Sequence, residues 1–266
     1  TIPWRIDSCL DHHFADFPAL RDAFLGTPLE PSLNLSDYEH VADDLDLVTR
    51  VIEGASLEKA QGVNILLFGP PGTGKTELAK LAAAAAGVTL YATGEEQVAG
   101  REISRSERLT DLAVFQRLLA GNVGTAILFD EFEDVASQVN EMLTWMEQHP
   151  LPFCCTTNMM ERFDSASLRR FTFHILFHFL DAQALARAYA IFFQMTQVPP
   201  NGLGFLNLTP GDFAQARRQA DMLGIAEDVD RVVALIAEIS RQKPGSPRAA
   251  IGFVRQPQAF LMDEPL

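Results

Sequence analysis

Gly69-Pro70-Pro71-Gly72-Thr73-Gly74-Lys75-Thr76 fits the pattern G-x-x-x-x-G-K-[ST], a phosphate-cradling loop that works only where it joins a buried strand to a helix. Both flanks are present. Val63 to Phe68 is a short, nearly continuous apolar run, the pattern of a strand buried on both faces of a parallel sheet. After the loop, Glu77 to Leu81 and the alanines that follow form a strong helical stretch that should stop at Gly87. Strand, glycine loop and helix in this order are therefore predicted.

The residue types suit the charge of a nucleoside triphosphate. Gly69, Gly72 and Gly74 let the backbone turn its N–H groups inward, and the following helix N-terminus adds partial positive charge. Lys75 would reach the β- and γ-phosphates, and the Thr76 hydroxyl would bind Mg²⁺.

A second strand is expected over 88–93 and a loop over 94–105. Residues 106–120 read as an amphipathic helix; if it starts early, Arg101, Arg105 and Arg108 share one face, either solvated or an interface. Thr125 to Phe129 is a further buried strand and ends in Asp130 and Glu131. About fifty residues beyond a phosphate loop, such a pair suits Asp130 as a ligand of hydrated Mg²⁺ and Glu131 as the general base that polarises water. Glu133 and Asp134 read as caps of a helix over 135–148. Leu151 to Thr157 is another buried strand, and Asn158 at its tip could bond the attacking water or the γ-phosphate. The adjacent Arg169 and Arg170, just before the strand Phe173 to Phe177, suit delivery of a guanidinium to phosphate or a surface salt bridge.

In this order, G-P-P-G-T-G-K-T, I-L-F-D-E, T-T-N and D-x-A-x-L-R-R-F resemble the AAA+ ATPases and, among them, the original AAA clade. The phrasing N-I-L-L-F-G-P-P-G-T-G-K-T-E-L-A-K and F-D-E-F-E-D-V looks like a bacterial group in which such a module ends a longer protein. The resemblance covers about residues 36–224. It implies a P-loop NTPase αβα sandwich with a central parallel sheet over 36–180, followed by an α-helical lid and tail over 181–266. It further implies ATP and Mg²⁺ as cofactors, self-association into a hexamer or similar ring, and a protein substrate or partner complex. Asn158 becomes the sensor-1 residue, and Arg169 or Arg170 the arginine finger acting on the next subunit's ATP. Gly211 falls near the sensor-2 position, which in the original clade lacks arginine; Arg217 and Arg218 lie further along that helix. Where threading members of the family carry an aromatic pore loop, this chain has Val98-Ala99-Gly100.

The lid also has support in the residues themselves. Helical patterns run from Asp181 to Gln197, from the cap Thr209 with Pro210 at the first helical position, and from Glu227 to Arg241. Before the sheet, Ser36 and Glu39 make a capping-box signature for a helix to Gly54, and a short helix follows over 56–61. Residues 1–35, with Pro3, Pro18, Pro28 and Pro31, read as a connecting segment that packs on a neighbour. His12 and His13 read as surface histidines rather than metal ligands.

Composition narrows the function classes. Lys+Arg 21 against Asp+Glu 35 gives a net charge of -14, which disfavours nucleic acid as the main partner. Cys9, Cys154 and Cys155 form neither a disulfide framework nor a metal spacing, and the adjacent pair reads as core. No apolar run approaches a membrane span and no leader pattern is seen, so a cytoplasmic location without a membrane partner is expected. A first residue of Thr1 suggests a segment of a longer protein. The reading that follows is an ATPase that remodels a partner. A nucleotide-gated scaffold with little hydrolysis is the alternative, and a GTPase fits less well because no N-K-x-D guanine motif occurs.

Overall fold

The computed structural model describes residues 12–33, 41–93, 97–98, 101–102, 104–119, 122, 124–135, 146–195 and 206–243. Five strands form one parallel sheet: β1 (Asn64–Phe68), β2 (Thr89–Thr93), β5 (Thr125–Phe129), β6 (Phe153–Thr157) and β7 (Phe173–Leu176), in the order β2-β5-β6-β1-β7. β3 (Gln97–Val98) and β4 (Arg101–Glu102) pair as a small antiparallel hairpin within the stretch expected to be loop. Val98 of the pore-loop triplet lies on β3, while Ala99 and Gly100 lie outside the described residues.

The period-2 alternation of the strands feeds two separate cores. Leu66, Ile127, Phe129, Phe153 and Cys155 face α1 (Phe17–Leu25) and α4 (Arg105–Leu119). Ile65, Leu67, Leu128 and Cys154 face α2 (Ala42–Glu58) and α3 (Lys75–Ala85). The adjacent cysteines therefore point to opposite sides of one central strand, and burial pushes the Cys154 thiol up to about 12 and raises that of Cys155 well above its ordinary value.

Helix starts follow their caps. Asp16 caps α1 through Ala19 N–H at 2.9 Å, and Ser104 with Glu107 caps α4, which the sequence pattern placed a residue later. The proline-rich N-terminal stretch contributes α1, whose Phe24 and Leu25 enter the core beside Phe115. α2 runs through Gly54 and absorbs the first half of the short second helix, so the two patterns are one element. The capping box at Ser36 and Glu39 lies outside the described residues, as does most of the 135–148 helix, of which 146–148 are helical.

Beyond β7, α6 (Ala182–Phe193), α7 (Pro210–Leu223) and α8 (Val229–Arg241) close around Tyr189, Phe213, Val232 and Ile236 as a third core. α7 opens with the Thr209–Asp212 capping box, and Lys243 Nζ reaches Asp212 at 2.5 Å, which ties the end of α8 to the start of α7. That start rests on the phosphate loop: Gly211 N–H donates to the Gly72 carbonyl at 2.9 Å. A Cβ on Gly211 would lie 3.0 Å from Gly72 Cα and 3.1 Å from its carbonyl oxygen, so any larger residue there would push the two backbones apart. Among the described residues, no helix is long and apolar enough to cross a membrane.

Candidate active site

The chain leaves β1 for the edge strand β2, returns through β5 and β6, and then crosses β1 to reach β7. Loops at the carboxyl ends of such strands enclose the ligand crevice of an open parallel sheet. The crevice here is a cleft of about 470 Å³, lined by Pro71, Gly72, Gly74, Lys75, Thr76, Asp130, Glu131 and Asn158, with Pro210 and Gly211 of the lid on its other wall. That size suits a small-molecule site, typically about 300–1,000 Å³. A larger cleft, about 910 Å³, opens within the lid and holds none of the motif residues. Its arginines are already engaged, Arg217 with Asp221 and the Phe192 carbonyl and Arg231 with Asp228. The motif residues therefore converge on the smaller cleft.

Gly69, Gly72 and Gly74 have positive φ, which the loop's inward turn needs. Thr73 Oγ1 donates to the Pro70 carbonyl at 2.8 Å and closes the loop on itself. Lys75 Nζ donates to the carbonyls of Gly69 and Pro70, both at 2.9 Å, and to Asn158 Oδ1 at 2.8 Å. Burial pushes the Lys75 ammonium down to about 8, against the pull of Asp130, Glu133 and Glu131, which favour its charge.

Thr76 Oγ1 lies 3.1 and 3.2 Å from the Asp130 carboxylate oxygens. A hydroxyl and a carboxylate held this close form a hard-oxygen donor set of the kind Mg²⁺ prefers when phosphates and water complete its shell. Among the described residues, no group of three His, Cys, Asp or Glu could hold a metal on its own.

Four residues of the site gave no local signal in the sequence. Thr156, buried on β6, donates a short hydrogen bond to Asp130 Oδ1 and accepts the Glu131 N–H at 3.1 Å. Glu133 accepts the Asn158 N–H at 3.0 Å from a 3-10 turn, so its carboxylate steadies the strand tip; the helix expected to start after it lies mostly outside the described residues. Arg108 is buried against the Asp130–Glu131 turn and belongs to neither a solvated face nor an outer interface. Glu77, on the first turn of α3, receives the N–H groups of Ser32 and Leu33. Burial alone would raise its carboxyl, but these hydrogen bonds and Lys80 hold it below the usual range.

Residues 65–179 match the family described as ATPase family associated with various cellular activities (AAA). Over those residues, less than half of its length, the chain is similar to an AAA ATPase domain. Its sequence is 34% identical over 105 residues to the Holliday junction branch migration complex subunit RuvB of Salinispora arenicola, 40% of this chain and 26% of that protein. The chain thus spans about a quarter of that relative's length. The crystal structure of the FIGL-1 AAA domain in complex with ADP superposes with a TM-score of 0.58 at 16% identity, covering 87% of this chain and 91% of that one. A structure described for katanin self-assembly gives a TM-score of 0.63 at 17% identity, covering 87% and 94%. At these identities the two structures share the fold.

Within the matched residues, Arg169 and Arg170 stand apart from the cleft. They follow α5 (Ser165–Leu168) and precede β7, at the end of the sheet where the strands begin. The Arg170 carbonyl accepts from Asn64 Nδ2 at 2.9 Å, on the first residue of β1. A five-residue strand separates that level from the phosphate loop, roughly 17 Å of extended chain. The Arg170 guanidinium is ion-paired with Glu147 at 2.9 Å, whereas the Arg169 side chain is exposed.

Proposed function

We propose that this AAA domain hydrolyses ATP with Mg²⁺, completes its active sites between neighbouring copies, and spends the energy on remodelling a partner protein or complex. The observation that carries the reading is the division of the proposed machinery between two ends of the sheet. Lys75, Thr76, Asp130, Glu131 and Asn158 converge on one cleft, and the arginines sit beyond reach of it.

ATP would lie with its phosphates in the loop from Gly69 to Thr76. Lys75 would exchange the carbonyls of Gly69 and Pro70 for phosphate oxygens. Thr76 and Asp130 would hold Mg²⁺, which supplies charge neutralisation at the phosphates. The Glu131 carboxylate would take a proton from the attacking water. Asn158, its Oδ1 occupied by Lys75, would offer its Nδ2 donor to that water or to the γ-phosphate. Arg169 is the better placed finger, because Arg170 is held by Glu147 and by the strand beneath it. A guanidinium that cannot reach its own cleft would act on a neighbour's. The likeness to a structure described for self-assembly supports an oligomer, a hexamer or similar ring. The net charge of -14 favours a protein over a nucleic acid as the remodelled partner.

The test is phosphate release per subunit against protein concentration, with Lys75→Ala as the blank and Glu131→Gln alongside. A specific rate that climbs with concentration supports sites shared between copies, and Glu131→Gln should bind ATP while turnover falls to a small residual rate. Nucleotide-dependent assembly with no phosphate above the blank would replace the hydrolase with a nucleotide-gated scaffold. Normal turnover in Glu131→Gln would remove that residue from its role.

A further inference from the structure

Arg108 lies on the first turn of α4 with its side chain 2% exposed. Burying a guanidinium carries a large desolvation penalty, so its partners indicate what the position requires. Nη2 donates to the Asp130 carbonyl at 2.7 Å and approaches the Glu131 carbonyl at 3.5 Å. Nη1 pairs with Asp134 Oδ2 at 3.3 Å, and the guanidinium carbon lies 4.8 Å from the centre of the Phe129 ring. These four contacts all fall between the end of β5 and the turn that follows it.

That turn is strained. Glu131 has φ 55 and ψ 51, a left-handed conformation that a non-glycine residue holds only when its surroundings impose it. Thr156 Oγ1 fixes the turn from the β6 side by accepting the Glu131 N–H. From the α4 side, Arg108 binds the carbonyls on both flanks of the same Cα. The planar fork can span two carbonyls and a carboxylate at once, which a single ammonium cannot do.

We propose that Arg108 is a positioning residue for ATP hydrolysis: by gripping the Asp130–Glu131 backbone it holds the Glu131 carboxylate in its strained, attack-ready orientation. This inference rests on the hydrolytic reading above.

The experiment compares Arg108→Gln and Arg108→Lys, each alone and combined with Glu131→Gln, for turnover and nucleotide affinity. Misplacement of a base by about 1 Å costs up to roughly 100-fold, so kcat should fall about 10- to 100-fold while the nucleotide Kd stays within about threefold. Arg108→Lys should recover only part of the loss. In the Glu131→Gln background, Arg108→Gln should lower residual turnover by less than about threefold, because residues acting as one unit are not additive. Equal fold-losses in both backgrounds, or a collapse of affinity together with kcat, would overturn the proposal. Hydrogen exchange at the Glu131 and Asp134 amides gives a readout independent of turnover. It should accelerate about tenfold or more in Arg108→Gln while the α3 amides keep their protection. If wild type hydrolyses nothing, the functional reading fails, and this exchange still decides whether Arg108 holds the turn. Unchanged exchange at Glu131 would sink the proposal by itself. Should Arg108→Gln fail to fold, Arg108→Lys carries the same cycle.

Discussion

His149 is set to make the fold sensitive to mild acid. Its Nε2 lies 3.0 Å from Asn64 Oδ1, and its Nδ1 accepts the Leu151 N–H at 3.3 Å. The neutral ring thus donates from Nε2 and accepts at Nδ1, and a second ring proton would displace the Leu151 bond. Burial pushes the imidazole down from its ordinary 6.5 to about 4. The sign follows from proton counts: below pH 6.5 the unfolded chain protonates this histidine while the folded chain does not, so stability falls with falling pH. The contribution is complete above pH 6.5 and is lost between there and pH 4. Linkage puts the loss from this one group at about 2 kcal/mol by pH 5 and about 3 kcal/mol by pH 4. The perturbation is His149→Gln, which keeps an amide donor for Asn64 and removes the titration. Urea denaturation at pH 7.5 and 5.0 is the assay. The variant should be the weaker protein at pH 7.5, yet wild type should lose about 2 kcal/mol more than the variant on acidification. Equal losses in both proteins would refute the reasoning, since the ring would then be protonating in the fold as readily as outside it.

Lys75 carries a prediction of opposite direction in pH. Its ammonium in the free protein lies at about 8, so above that pH nucleotide binding must bring a proton with it, and affinity should fall about tenfold per unit. Calorimetric titration with ATP at pH 7, 8 and 9 in buffers of different ionisation enthalpy measures both the fall and the proton; a flat affinity to pH 9 would count against a neutralisable Lys75. At the lid, Gly211→Val would place a Cβ 3.0 Å from Gly72 Cα, with backbone on both sides. Overpacking of this kind costs roughly 1–3 kcal/mol, so nucleotide affinity should drop about tenfold as the lid is forced off the loop. Fluorescent-nucleotide titration checks it, and wild-type affinity would show that the glycine contact is dispensable.

That the phosphate-loop residues, Asp130, Glu131 and Asn158 meet in one cleft was legible because each follows an apolar strand as its polar tip. The parallel sheet and the three lid helices were legible for a similar reason, since their periodicity is local. What was not legible depends on strand register. Pairing of Phe129 with Cys155 puts Thr156 beside Asp130, and nothing near Thr156 in the sequence indicates that its hydroxyl will bridge two acidic residues. Arg108 shows the same limit: a helical spacing of arginines cannot distinguish a solvated face from one that closes over a turn twenty-two residues away. Asn64 read only as the polar start of a strand, yet it joins His149, Gly62, Met146 and Arg170 across the base of the sheet. Glu133 reads as a helix cap from its position before an apolar stretch, whereas its partner in the fold, the N–H of Asn158, is brought alongside only by strand pairing.

The two adjacent cysteines of β6 give this domain a pair of internal reporters. Each thiol faces a different helical layer, Cys154 toward α2 and α3 and Cys155 toward α1 and α4. Both are fully enclosed and poor at forming thiolate, so an alkylating reagent can reach either one only when its own layer lifts from the sheet. Modification rates at the two positions, separated by peptide mass, would time the opening of the two layers independently. A nucleotide that braces the phosphate-loop helix should slow labelling at Cys154 more than at Cys155, so one strand without any engineered probe can show which side of the molecule the ligand stiffens.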